Sequence, residues 1–486
     1  MKRRELLKKL AALGMAATMV VGATGCGEQA APAPAPTAKP ADATAAPADT
    51  TADAEPEDDG LIKDANGNTV DLGGVHVIIR DWWSHAVGEA PAEPNSAYEE
   101  ARDEYWAEIQ ETYNFTFEQA GISGWGEVPE DYNNYVMNGG DENYYVFTLR
   151  DDGSSVGAML NGLMYDLSTL DCLDFSEEKW QATKRHVAYS KGGKIFGMAA
   201  GEAEPRTGLY FNRRLLEEAG INPDSIYELQ EKKEWTWAKF DEILAQVQRD
   251  TNNDGEIDVY GHCANDANVY VEAVASNGAE YVGVDASGKY VYKFNDAKTM
   301  EALNWAQNMM MTYNCEFDGD NWDYFYDAFK NGKAAFFTGD AYEAGGQLAD
   351  MQDDFGWVCF PMGPSATDYA FFNACNTFVI PSCYDAEKAW KCAFVYNLVN
   401  SPIPGYEDYS GFTVQYSTQM RDTGTIDYTV PRMLKIGVPA YHQFISEAAL
   451  GEHFTWQLGI FSGNTPASVE ETNRDIWMQA IDKANQ

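Results

Sequence analysis

The chain has 486 residues, too long for one hydrophobic core, and its length implies two or three domains. The 45% apolar and 13% aromatic composition is that of a folded protein. With 34 basic against 76 acidic residues, the net charge of −42 repels nucleic acid and anionic lipid and disfavours polyanionic ligands.

The N-terminus carries the most specific signal. Lys2, Arg3, Arg4, Lys8 and Lys9 form a basic head, and residues 10–25 an uncharged, mostly apolar run too short for an ordinary membrane-spanning helix. The run closes on Ala23-Thr24-Gly25-Cys26-Gly27, which resembles a bacterial lipobox with Ala23 where Leu is usual. Residues 1–25 are therefore expected to be a lipoprotein signal peptide, and Cys26 to carry the lipid. Residues 26–60 are rich in Ala, Pro, Thr and Asp and bury too little apolar surface to offset their ordering entropy, so a solvated tether is expected.

From residue 61 strand-like and helix-like patterns alternate. Val75-His76-Val77-Ile78-Ile79 predicts a buried strand, and Ser96 with Glu99 caps a helix whose face is Tyr98, Ala101, Tyr105, Ile109 and Tyr113. Residues 144–149 predict a second strand. Thr236 opens a helix through Trp237, Phe240, Leu244 and Val247, and Asp296 another through Met300, Leu303, Ala306 and Met310. Residues 334–337, 357–360 and 377–380 predict strands, and Asp385 starts a helix that stops at Ser401-Pro402. Such alternation argues for α/β sheets, parallel or mixed.

Catalytic patterns are absent: there is no GxSxG, HExxH or P-loop, and the six histidines are scattered. Acidic neighbours such as Asp151 and Asp152, or Glu202 and Glu204, carry no information among 76 acids. No enzyme is expected. The eight cysteines show no CxxC and no zinc spacing, so free, buried thiols are expected rather than a disulfide scaffold. Asp250, Asn252, Asp254 and Asp258 fall at positions 1, 3, 5 and 9 of a loop with Gly255 at position 6, where Glu256 could add a backbone carbonyl. The spacing admits a structural Ca²⁺ or an Asx-rich turn that holds no metal, and Gly261 replaces the usual final Glu. Trp82 and Trp83 follow the first strand at its carboxyl end, where open α/β sheets bind ligands, and an indole suits the apolar face of a sugar. Adjacent residues point to opposite faces, so at most one is needed by the core.

Five segments in order resemble the extracellular solute-binding family that includes maltose-binding protein. They are Phe211-Asn212-Arg213-Arg214-Leu215-Leu216-Glu217-Glu218-Ala219-Gly220-Ile221 with Thr236-Trp237 following; the Asp250 loop through Gly261; Phe329-Lys330-Asn331-Gly332-Lys333-Ala334-Ala335 with Gly339; Phe360-Pro361; and Ile380-Pro381-Ser382 ahead of Ala389-Trp390. The resemblance covers residues from about 70 to the C-terminus, with Tyr342 near where the family commonly has Trp.

It implies a two-lobed periplasmic-binding-protein-like fold of type II, with lobe one at 61–206 plus 338–378 and lobe two at 207–337 plus 379–486. It implies ligand contacts from Arg150, Asp151 and Asp152 after the second strand, from Glu204 and Arg206 at a first crossing, and from Asp340 and Tyr342 at a second. Asn376 and Trp456 are further candidates. The implied function is capture of an extracellular carbohydrate, first an oligosaccharide, for delivery to ABC permease subunits by a monomer lipid-anchored on the outer face of the cytoplasmic membrane. Arg150 and Arg206 admit an acidic sugar or a peptide carboxylate, so a peptide or other polar solute is the alternative; an exported polysaccharide hydrolase is the rival class.

Overall fold

The computed structural model describes residues 60–150, 153–181, 190–201, 204–315, 321, 323–373, 376–407, 409–445, 457–458 and 462–486. The expected signal peptide, Cys26, nearly all of the tether, Asp151, Asp152 and Trp456 lie outside them.

Two four-stranded sheets organise the chain. The first is built from β1 (Val75–Asp81), β2 (Phe115–Gly121) and β3 (Tyr144–Arg150), with β1 central and parallel to both neighbours. Between these strands run α1 (Ala97–Tyr113) and α2 (Val128–Met137), and α3 (Gly153–Leu160) follows β3. Ser96 caps α1 by accepting the Glu99 N–H at 3.3 Å, as its position predicts. Side chains alternate across the sheet. Val77, Ile79 and Val146 face one core with Ile109 and Tyr113 of α1, while Phe147 and Leu149 face another with Tyr132 and Val136 of α2.

The second sheet contains β4 (Thr207–Asn212), β5 (Tyr260–Ala264), β6 (Ala334–Asp340) and β7 (Phe355–Cys359), in the order β7-β4-β6-β5. β4 is antiparallel to β6 and β7, and β6 is parallel to β5. Every residue of β4 is buried. The core includes Phe240 and Leu244 of α4 (Trp237–Val247), Ala273 of α5 (Asp266–Ser276) and Leu303 of α6 (Ala297–Tyr313). The chain then returns to the first sheet, where β8 (Asn376–Val379) joins β3 antiparallel and α7 (Ala386–Val399) packs Ala393, Phe394 and Val395 into its core. It ends on the second core with α8 (Gly411–Gln419) and α9 (Pro466–Ala484).

The expected division at 338–378 does not follow the sheets. β7 and the end of β6 pair with β4 and belong to the second lobe, whereas the segment from β8 to α7, including residues 379–399, belongs to the first. Hydrophobic alternation marks a strand but not the sheet it joins, and here antiparallel additions on β3 and β4 reassign both segments. The chain passes between the sheets near residues 198–206, 373–376 and 400–411. No helix among the described residues is long and apolar enough to cross a membrane.

Candidate ligand-binding cleft

β1, β2 and β3 run parallel, so the segments after them emerge at one edge of the first sheet. Asp81, 1% exposed at the end of β1, organises that edge. Its carboxylate accepts the Trp83 N–H at 3.1 Å, the Ser84 N–H at 2.9 Å, the Ser84 hydroxyl at 2.6 Å and the Gln119 amide at 2.7 Å. The tight turn separates the two indoles. Trp82 packs partly buried against the cluster of Val128, Tyr132 and Phe147, while Trp83 stays 51% exposed, and their rings meet edge to face at 5.0 Å.

The segment after β2 closes on the same turn: the Gly121 N–H donates to His85 O at 2.9 Å and the Ile122 N–H to Asp81 O at 3.1 Å. A Cβ at Gly121 would lie 2.6 Å from Ser84 O, so only glycine admits this approach. Beyond it, Gly124-Trp125-Gly126 presents an indole 54% exposed, with the Arg150 guanidinium 4.2 Å from the ring centre. Arg150 ends β3, and Asn376 pairs with it across the β3–β8 ladder. Trp83, Trp125, Arg150 and Asn376 thus occupy one edge of the first lobe.

A second group forms where the chain enters the second lobe. Arg206 lies 2.9 Å from Glu204 and 3.5 Å from Asp340, with its guanidinium 5.5 Å from the centre of the Tyr342 ring. Asp340 pairs with Thr207 in the β6–β4 ladder and accepts its hydroxyl at 2.7 Å. Tyr416 of α8 donates to Glu204 at 3.3 Å. Asp340 and Tyr342 were expected on a second crossing; Asp340 instead ends β6, where antiparallel pairing sets it beside the first one, and Tyr342 lies in the short helical turn that follows. Arg206, held between two carboxylates, is not an uncompensated cation, which removes the main reason to expect an anionic ligand there.

Two buried carboxyls lie behind this group. Glu343, 3% exposed, accepts the Tyr326 hydroxyl at 2.8 Å through one oxygen, and its other oxygen has no hydrogen-bond partner among the described residues. Burial, and then the charge of Asp340, hold its pKa well above the ordinary carboxyl range. Glu272 of α5 is raised for the same two reasons and lies against the Thr207 hydroxyl and the Phe372 amide. Thr207 and Phe372 are the lobe-two ends of the first and second crossings. At their lobe-one ends Met198 and Phe378 exchange backbone hydrogen bonds at 2.8 and 2.9 Å. The two crossings are therefore adjacent at both ends, with Arg206 and Asn376 on them.

Trp125, Tyr416, Glu272 and Glu343 are absent from the candidates that the sequence supplies. The glycines flanking Trp125 were a usable signal, since a Gly-Trp-Gly loop cannot be a core segment. The others depend on which helix meets which crossing.

The proposed metal residues form a closed turn. Asp250 accepts the N–H groups of Asn252 at 3.2 Å, Asn253 at 2.6 Å and Gly255 at 2.8 Å. Asp254 accepts that of Glu256 at 2.9 Å, and Asp258 that of Thr251 at 2.7 Å. Among the described residues no three acidic, histidine or cysteine side chains are placed to hold a metal ion. The loop is an Asx-rich turn closed by its own amides.

No family model and no curated protein matches the chain. Solved structures do. The GacH receptor of Streptomyces glaucescens, described with acarbose, superposes with a TM-score of 0.56 at 14% identity over 84% of this chain and 99% of its own. The ABC substrate-binding protein Lmo0181 from Listeria monocytogenes, in complex with cycloalternan, gives 0.55 at 16% identity over 84% and 99%. UgpB from Mycobacterium tuberculosis, in complex with glycerophosphocholine, gives 0.55 at 16% over 80% and 96%. The chain has the substrate-binding-protein fold. Asn376 of the first group and Arg206 of the second lie on the crossings between the two sheets.

Proposed function

We propose that the protein captures an uncharged oligosaccharide between its lobes and hands it to the permease of an ABC importer. The observation that carries this reading is the pair of exposed indoles, Trp83 and Trp125, on the edge of the first lobe beside the crossing that carries Arg206. Indoles stack on the apolar faces of sugar rings, and the carboxylates and guanidinium of the Glu204–Arg206–Asp340 group accept from and donate to hydroxyls. Two structures sharing the fold are described with the carbohydrates acarbose and cycloalternan. In this reading the groups converge when hinge motion closes the lobes.

The glycerophosphocholine-bound relative keeps a second reading open, a polar solute other than a sugar. Arg206, already flanked by two carboxylates, disfavours anionic members of that class. The leader and Cys26 support export and lipid anchoring outside the cytoplasmic membrane, with permease subunits as partners and the monomer as the acting unit. Titrating the protein with neutral oligosaccharides tests the reading: saturable binding with recovery of the intact sugar supports it, and release of shorter sugars assigns the chain to hydrolysis.

A further inference from the structure

Two cysteines of the second lobe stand side by side across a strand ladder. His262 and Asn314 form a parallel bridge, and the Cys315 N–H donates to His262 O at 2.8 Å. Side chains of paired residues share a face, and the next pair along the ladder shares the opposite one. The first half of that rule is visible here, because His262 Nδ1 and Asn314 Oδ1 are 2.9 Å apart. The next pair is Cys263 and Cys315. Both residues are buried, and both thiols are free in this structure. Residues paired on neighbouring strands have Cα atoms about 4.8 Å apart, within the roughly 4.4–6.8 Å that a disulfide spans.

We propose that Cys263 and Cys315 are a disulfide-forming pair, oxidised as the chain folds in the presence of a low-molecular-weight disulfide. One cysteine thiolate attacks the donor and expels a donor thiolate, leaving a mixed disulfide. The second cysteine then displaces the other donor thiolate. One sulfur–sulfur bond forms in the protein and one breaks in the donor, which gains two electrons and leaves, with the two protons, as two thiols. The bond closes a loop that contains α5 and α6, tying both helices to β5.

Folding is the period in which this chemistry is available. In the finished structure Cys263 is fully buried, and its thiol donates to the Phe325 and Phe336 carbonyls at 3.4 and 3.5 Å. Burial raises its pKa well above the ordinary thiol range, so little thiolate exists to attack a disulfide later. Only the physiological setting rests on the export proposed above, since oxidants of this class persist outside the cytosol. The pairing itself is independent of what the cleft binds.

The test refolds the full chain from denaturant in oxidised and in reduced glutathione, blocks remaining thiols with a maleimide under denaturing conditions, and maps peptides without reductant. The expected result is a linked peptide pair carrying Cys263 and Cys315, present only in the oxidised sample. Its thermal midpoint should lie several degrees above that of the reduced protein, as expected when a long loop is closed, and Cys315→Ser should abolish both effects. Natively folded protein from the oxidised buffer with maleimide on both residues overturns the proposal, as does either one linked to a different cysteine. If Cys315→Ser does not fold, the oxidised and reduced wild-type samples decide the matter.

Discussion

Arg206 lies 2.9 Å from Glu204, two residues before it on the first crossing between the lobes. The pair fixes a guanidinium on that crossing while cancelling its charge, and Asp340 at 3.5 Å adds a second negative neighbour. A ligand hydroxyl can still meet an oriented donor there, but a ligand carboxylate meets two fixed negative charges. That separates neutral from acidic sugars by geometry.

Glu204→Gln should therefore relax the discrimination. The variant is expected to bind a uronate-containing oligosaccharide roughly tenfold more tightly than the wild type does, a change of about 1.4 kcal/mol. Calorimetric titration of both proteins with the acidic sugar checks it. Equal affinities would mean that Arg206 does not face the ligand.

The adjacent tryptophans should separate stability from binding. Trp82 packs against the cluster of Val128, Tyr132 and Phe147, so Trp82→Ala is expected to lower unfolding free energy by about 2–3 kcal/mol in a denaturant titration. Trp83 is half exposed, and Trp83→Ala should leave stability within about 0.5 kcal/mol while weakening oligosaccharide binding roughly 10- to 100-fold. The reverse pattern assigns the ligand to Trp82.

This contrast also marks how far the sequence could be read. The indole pair at the end of β1 was legible because a buried strand followed by two tryptophans cannot hide both. Which one turns outward was not legible, because it depends on Asp81 gathering amides from both Trp83 and Ser84 and the Gln119 side chain from the neighbouring strand. Arg206 and Asp340 were legible as candidates, yet their contact arises from antiparallel pairing of β6 with β4, which no local pattern encodes. The same blindness to sheet assignment misplaced residues 338–373 and 379–399. Capping positions fared better, since caps are local: Thr236 and Asp385 accept the Lys239 and Lys388 amides as their spacing requires, while Asp296 starts its helix without a side-chain cap bond.

Glu343 should give stability a pH slope. Its folded-state pKa is raised, so the folded protein holds a proton that the unfolded chain releases above about 4.5. Its contribution is fully present below that pH and is lost as pH rises towards the folded-state value, at up to about 1.4 kcal/mol per unit. Glu343→Gln removes the titration. The variant should be more stable than the wild type at pH 8, with the difference shrinking towards pH 4.5. Parallel melting-temperature curves for the two proteins would show that Glu343 is ionised in the fold.

The loop from Asp250 to Asp258 is closed by its own amides, with Gly255 at a positive φ of 97° and its N–H donated to Asp250 at 2.8 Å. Its stability should not depend on metal. Neither a chelator nor millimolar Ca²⁺ is expected to move the thermal midpoint, whereas a Ca²⁺-dependent rise would establish a cation site despite the hydrogen-bonded carboxylates.

The central claim is that the two lobes close on an intact neutral oligosaccharide. Small-angle X-ray scattering of the protein with and without a panel of such sugars, with chromatographic recovery of each sugar afterwards, tests it most directly. The account predicts a saturable fall in the radius of gyration with at least one sugar, which is then recovered unshortened. An unchanged radius across the panel, or shortened products, would contradict it.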